Sequence, residues 1–226
     1  MVINKRVIRL VIFDMDGLMF GTERLAGMAW EFVLTENGYK FDNKLFEETI
    51  GLTGGKTGEL YEKYYGSRFP YQKIVKEAGE VLNNMVEADG VPVKDGLYDL
   101  LDCLDNLKIK KALATSTARK RAEMLLGKAD VINRFDCIVC GDEVMNGKPD
   151  PEIFLRTAEK SLESPCSCAV LEDSENGITA AFRAGMAPIM VPDIKDPGAE
   201  VAAMACRIFK NLDEVRMFFK QSAEEI

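Results

Sequence analysis

From Gly90 onward the chain repeats one pattern: a short apolar run, then residues spaced as an amphipathic helix, then another apolar run. The spacing predicts strands over 111–114, 136–140, 168–171 and 188–191, and helices over 97–107, from 119, and over 151–162 and 178–184. Successive parallel strands need long crossovers, and helices in those crossovers cover the two faces of the sheet. An earlier apolar run, 7–13, reads as a buried parallel strand of that same sheet. Between it and Gly90, residues 22–89 carry helical spacing and no convincing strand, punctuated by Gly38, Gly51, Gly54-Gly55 and Gly66 to Pro70. The expected architecture is α/β. A Rossmann-like, doubly wound parallel sheet core, residues 1–20 and 90–226, carries an inserted small α-helical cap domain of about four helices, residues 21–89. At 226 residues the chain is long enough for both parts.

Polar residues gather where these strands stop. The first run ends at Asp14-Met15-Asp16-Gly17, the second at Thr115-Ser116-Thr117, and a later one at Glu172-Asp173-Ser174. Lys148 stands in the loop Gly147-Lys148-Pro149. Open parallel sheets bind ligands beyond the carboxyl ends of their strands, so four segments point at one crevice. Each piece has a plainer reading. An aspartate pair can belong to a turn, Thr115 can be a helix N-cap, Lys148 a solvated loop lysine, and Glu172-Asp173-Ser174 a capping sequence. Together they make a different case. Four carboxylates in one crevice repel one another unless a hard divalent cation takes their oxygens. A hydroxyl beside a helix N-terminus suits a phosphate.

Composition removes several kinds of chemistry. The chain contains no histidine, which excludes Ser-His-Asp and Cys-His catalysis and the commonest zinc ligand. Acid/base work must fall to other groups. A net charge of −8, with no basic cluster beyond Arg119-Lys120-Arg121, argues against a nucleic-acid partner. No apolar run approaches the roughly 18 residues of a membrane span, so no membrane partner is expected. The opening residues lack a signal-peptide pattern, which makes the cytoplasm the expected location. The pairs Cys137/Cys140 and Cys166/Cys168 raise a four-thiolate zinc site. Cys137–Cys140 reads as a strand, however, and a spacing of three sets the two sulfurs on opposite faces, so buried thiols are expected instead.

The motif set resembles the haloacid dehalogenase superfamily, in the branch with a helical cap inserted after the first motif and closest in pattern to beta-phosphoglucomutase-like phosphatases. All four motifs stand in the family order: Phe13-Asp14-Met15-Asp16-Gly17 with Thr22; Thr115 closing an apolar strand; Lys148 in Gly147-Lys148-Pro149-Asp150-Pro151; and Glu172-Asp173-Ser174 with Gly177. The resemblance implies a magnesium-dependent phosphatase acting on a small phosphorylated metabolite. It implies Asp14 as the nucleophile and Asp16 as the general acid/base, whose carbonyl also contacts the metal. Asp173 would be a metal ligand, with Glu172 contributing directly or through water. Thr115 and the Ser116 amide would hold phosphoryl oxygens, and Lys148 would bridge nucleophile and phosphate. Asp16 sets the chain apart from the dehalogenases themselves, whose pattern lacks this second aspartate.

Two readings compete with hydrolysis. One is a phosphomutase of the beta-phosphoglucomutase type; the other is a catalytically silent phosphate-binding module on the same fold. The mutase pattern places a histidine a few residues after the motif-one threonine, where this chain has Ala26, and an arginine in the first cap loop, at about Gly54 in Gly51-Leu52-Thr53-Gly54. Many relatives carry an aspartate where this chain has Gly21. Arg24, Lys56 and Arg119, with Trp30, are the candidates for substrate specificity.

Overall fold

The computed structural model describes residues 1–50 and 54–224. The chain divides into two compact units: Met1–Phe20 together with the chain from Pro92 onward, and Gly21–Val91.

The larger unit is built on a six-stranded sheet ordered β5-β4-β3-β6-β7-β8. Its strands are β3 (Leu10–Phe13), β4 (Lys110–Thr115), β5 (Cys137–Cys140), β6 (Cys168–Glu172), β7 (Ala187–Met190) and β8 (Arg207–Ile208), and all pair in parallel. Strand β3 is central, with Phe13 level with Leu113 on one side and Leu171 on the other. That register brings Asp14, Ala114–Thr115 and Glu172–Asp173 to one end of the sheet. Every residue of β3 and β6 is buried, which is why these runs are apolar up to the Glu172 that closes β6 and do not alternate.

One face of the sheet, with Leu10, Ile12, Ala112, Ala114, Val139 and Val170, packs on Ile153, Phe154 and Ala158 of helix α7 and on Ala180 and Ala181 of α8. Helices in chain order are α1 (Thr22–Glu36), α2 (Asn43–Thr49), α3 (Gly54–Tyr65), α4 (Tyr71–Asp89), α5 (Leu97–Asn106), α6 (Arg119–Lys128), α7 (Glu152–Lys160), α8 (Glu175–Arg183), α9 (Ala199–Met204) and α10 (Leu212–Glu224). Helix α8 starts at a true cap: the Ser174 hydroxyl accepts the Gly177 N–H. Helix α5 packs on β4 and on α10, and α6 packs on β5.

The N-terminus departs from the expected single strand over 7–13. Residues Val2–Ile3 (β1) and Arg6–Val7 (β2) form an antiparallel hairpin, and the sheet strand begins only at Leu10. Asn4 and Lys5 have φ of 48° and 63°, the left-handed pair that a two-residue hairpin turn requires. Val7 continues the apolar run in sequence, so the break was invisible there. The short strand β8 and helix α10 were likewise not foreseen.

The smaller unit contains α1 to α4 among the described residues. Helices α1 and α4 pack lengthwise. Its core gathers Val33, Leu34, Leu45, Tyr61, Phe69, Ile74 and Ala78. Trp30 stacks on Tyr61 at 4.6 Å between ring centroids, so its indole serves this core.

Candidate active site

The site begins with Asp14, one residue past β3. Its N–H donates to Leu171 O at 3.0 Å, continuing the ladder so that the side chain emerges at the sheet's end. The chain then turns sharply: Gly17 N–H donates to Phe20 O, and Met19 and Phe20 N–H both reach Met15 O. Gly17 has φ of 84°, and a Cβ there would overlap the Asp173 carboxylate. Only glycine meets both conditions.

Asp14, Glu172 and Asp173, all buried, present carboxylate oxygens within 4.8 Å of one another. Lys148 enters this group from its loop. Its Nζ donates to Asp14 Oδ1 at 2.5 Å and to Glu172 Oε1 at 2.5 Å, and lies 5.0 Å from the centroid of the Phe154 ring. Burial pulls the ammonium's pKa down, but the two carboxylates outweigh burial and hold it above its ordinary value. Burial pushes the Asp14 carboxyl up to about 8; Lys148 opposes this shift, while Glu172 and Asp16 add to it.

Glu172 belongs to the carboxylate group and also does structural work. Its Oε2 accepts the Ser174 N–H and the Ser174 hydroxyl, both at 2.9 Å, while Oε1 holds Lys148. A Cβ on Gly177 would overlap this carboxylate, so the first turn of α8 closes directly onto it.

Thr115 ends β4 and is buried. The N-cap reading of Thr115 does not hold, because α6 starts at Arg119 and its cap position is Ala118. Instead the Thr115 Oγ1 accepts the Thr117 N–H at 3.1 Å. Ser116 follows in the same loop, backed by Gly141 so closely that a Cβ there would overlap the Ser116 carbonyl.

Asp16 is set apart from the three clustered carboxylates: its Oδ2 accepts a hydrogen bond from Thr117 Oγ1 at 2.7 Å. Arg119 is not available to a ligand in this arrangement. Its guanidinium donates to Glu123, Glu143 and the Ile138 carbonyl, while its N–H reaches Asp142. Arg24 and Lys56 are exposed on the helical unit. Gly51, Leu52 and Thr53 lie outside the described residues, and with them most of the cap loop expected to lack the mutase arginine. Two participants escaped the sequence reading. Thr117 had a signal in the third hydroxyl of Thr115-Ser116-Thr117; Phe154, beneath Lys148, had none.

A parallel sheet that collects carboxylates, a buried lysine and hydroxyls at its strand ends has its polar groups where open α/β sheets bind their ligands. The sequence pattern of the haloacid dehalogenase-like hydrolases matches residues 11–191, and the chain belongs to that family. It is 32% identical over 202 residues to the phosphorylated carbohydrates phosphatase of Thermotoga maritima, covering 88% of this chain and 93% of that one. It is 30% identical over 187 residues to the beta-phosphoglucomutase of Bacillus subtilis, covering 79% and 80%. Among solved structures it resembles CbbY from Rhodobacter sphaeroides in complex with phosphate, with a TM-score of 0.76, 25% identity, and coverage of 92% and 96%. No described helix is long and apolar enough to cross a membrane.

Proposed function

We propose that this chain is a magnesium-dependent phosphoric monoester hydrolase acting on a small phosphorylated metabolite, a sugar phosphate or similar, through a covalent aspartyl-phosphate on Asp14. The observation that carries the reading is the buried Asp14–Lys148 pair inside a group of three carboxylates. Those carboxylates offer oxygen donors only, the set preferred by a hard divalent cation, and the raised Asp14 carboxyl is what such a cation would bring down. Asp14 and Asp173, with Glu172 and the Asp16 carbonyl, would hold magnesium, which when bound neutralises charge so that a phosphate can approach a carboxylate.

The chain's own residues would do the rest. An Asp14 oxygen attacks phosphorus in line with the leaving oxygen, which takes its proton from the Asp16 carboxyl. The resulting Asp16 carboxylate then accepts a proton from the water that attacks the aspartyl-phosphate, releasing phosphate and restoring Asp14. Lys148 spans the nucleophile and the phosphoryl group. The Thr115 oxygen accepts the Thr117 N–H, and its own proton remains to donate to a phosphoryl oxygen alongside the Ser116 amide.

Hydrolysis is preferred over phosphomutase chemistry because no histidine stands at Ala26 or elsewhere to restrain Asp16 until a second sugar hydroxyl arrives. The helical unit is proposed as the substrate-selecting cap, with Arg24 and Lys56 as the residues that read the substrate. All six cysteines are free, the state a reducing cytoplasm maintains.

The test is turnover of 4-nitrophenyl phosphate and of beta-glucose 1-phosphate with a bisphosphate primer. Activity should vanish in chelator and return with magnesium, and the sugar phosphate should release inorganic phosphate without forming glucose 6-phosphate. Full turnover in chelator overturns the metal assignment, interconversion of the two sugar phosphates points to a mutase, and inertness towards both substrates favours a binding module.

A further inference from the structure

Thr117 lies outside the residues that the four motifs pick out, yet it is tied down at three points. Its N–H donates to Thr115 Oγ1 at 3.1 Å, its carbonyl accepts the Gly141 N–H at 3.1 Å, and its hydroxyl donates to Asp16 Oδ2 at 2.7 Å. The first bond joins it to the proposed phosphate-binding threonine. The second fastens it to the loop whose glycine presses against the Ser116 backbone. A β-branched side chain on so fixed a backbone has little rotamer freedom, so the hydroxyl is a rigid anchor.

The group it holds is one whose aim matters. The terminal torsion of an aspartate is broad, so an untethered carboxylate swings and points its proton-bearing oxygen in many directions. The two proposed catalytic aspartates also have different kinds of partner. Asp14 faces Lys148, an ammonium that donates only and favours the carboxylate as an anion. Asp16 faces a hydroxyl, which can donate to Oδ2 both when the carboxylate is charged and when its other oxygen carries the proton. A nucleophile keeps one charge state until it reacts, whereas an acid/base changes state twice in each turnover. A hydroxyl partner can remain bonded through both changes.

We infer that Thr117 is the positioning residue of the acid/base: it holds Asp16 by one oxygen, in both protonation states, and so aims its proton at the oxygen leaving the phosphate. This inference rests on the hydrolase reading. It makes a demand that a general structural role does not make. Leaving groups that are good without protonation should be indifferent to Thr117, and poor ones should depend on it.

The experiment compares kcat/KM, which reports the steps up to transfer onto Asp14, for two esters in Thr117→Val and Thr117→Ser. One ester is 2,4-dinitrophenyl phosphate, whose phenolate leaves unaided. The other is the fastest alkyl ester for the unaltered enzyme among glucose 6-phosphate, fructose 1-phosphate and glycerol 1-phosphate. Thr117→Val should lower kcat/KM for the alkyl ester about 10- to 100-fold and for the dinitrophenyl ester less than about threefold. Thr117→Ser, which keeps the hydroxyl, should stay within about fivefold of the unaltered enzyme on both. Equal losses on the two esters, no loss in Thr117→Val, or a Thr117→Ser as impaired as the valine variant each overturn the inference while leaving the hydrolase reading standing. An unaltered enzyme inert towards both kinds of ester overturns the hydrolase reading and this inference with it.

Discussion

Replacing the nucleophile should make the metal-free protein more stable while abolishing its activity. Asp14→Asn keeps the shape of the side chain and removes a carboxyl that burial raises from its ordinary 3.8 to about 8. Because the folded-state value is the higher, the folded site keeps its proton across a window in which the unfolded chain has released it. Stability is therefore full below about pH 4 and falls as pH rises towards 8, by up to ~1.4 kcal/mol per pH unit. A window of about four units sets a ceiling of about 6 kcal/mol for the burden Asp14 places on the fold at pH 8 and above. Asparagine does not titrate, so it escapes this burden but loses the ion pair with Lys148, and a net gain of about 2 kcal/mol is the reasonable expectation. The assay is urea unfolding of both proteins in chelator at pH 5, 7 and 9. The variant's advantage should grow from pH 5 to pH 9 and shrink or reverse when magnesium is added, since a cation bound to the folded site stabilises only the unaltered protein strongly. Steady-state kcat should fall by about 10³-fold or more with the covalent route gone. A variant that is less stable than the unaltered protein at pH 9 in chelator, or a difference that ignores pH, would refute the picture of Asp14 as a strained buried acid.

Lys148→Met should do the opposite. Removing the cation between Asp14 and Glu172 leaves Glu172 buried without its ammonium partner, and urea unfolding in chelator at pH 8 should register a loss of about 3–5 kcal/mol, with kcat down about 10²–10³-fold where magnesium restores the fold. Gly177→Ala places a methyl in the space of the Glu172 carboxylate and should cost about 1–3 kcal/mol. Gly127→Ala is a matched control in α6, where a Cβ would meet nothing within 4 Å, and should instead stabilise by up to ~1 kcal/mol. If both alanines stabilise equally, α8 does not close directly onto Glu172.

Much of this protein can be read in the order of its residues. Apolar runs such as Leu10–Phe13 and Cys168–Leu171 announce buried parallel strands because both of their faces are covered, so no polar residue interrupts them. The polar residue that ends each run falls at a strand's carboxyl end by simple continuation, which is why the sequence alone assigns Asp14, Thr115 and Glu172-Asp173 to one crevice. Lys148 was grouped with them from its loop, but nothing local distinguishes it from a solvated loop lysine, and its role came from the motif pattern.

What the order of residues did not decide are the relations between segments far apart in the chain. The bond from Thr117 to Asp16 joins residues 101 apart, and that from Lys148 to Asp14 joins residues 134 apart. Each exists only because the register places β3 between β4 and β6. Arg119 shows the same limit from the other side. By sequence it was a candidate for substrate specificity, whereas in the fold Glu143 and the Ile138 carbonyl, brought close by β5, occupy its guanidinium. The hairpin at Val2–Val7 and the two-residue strand β8 were hidden because each is too short to carry a period of its own. Local patterning selects elements through the burial of their side chains, and it does so residue by residue. Which hydroxyl faces which carboxylate depends on strand order and stagger, and these are set by the packing of the whole sheet.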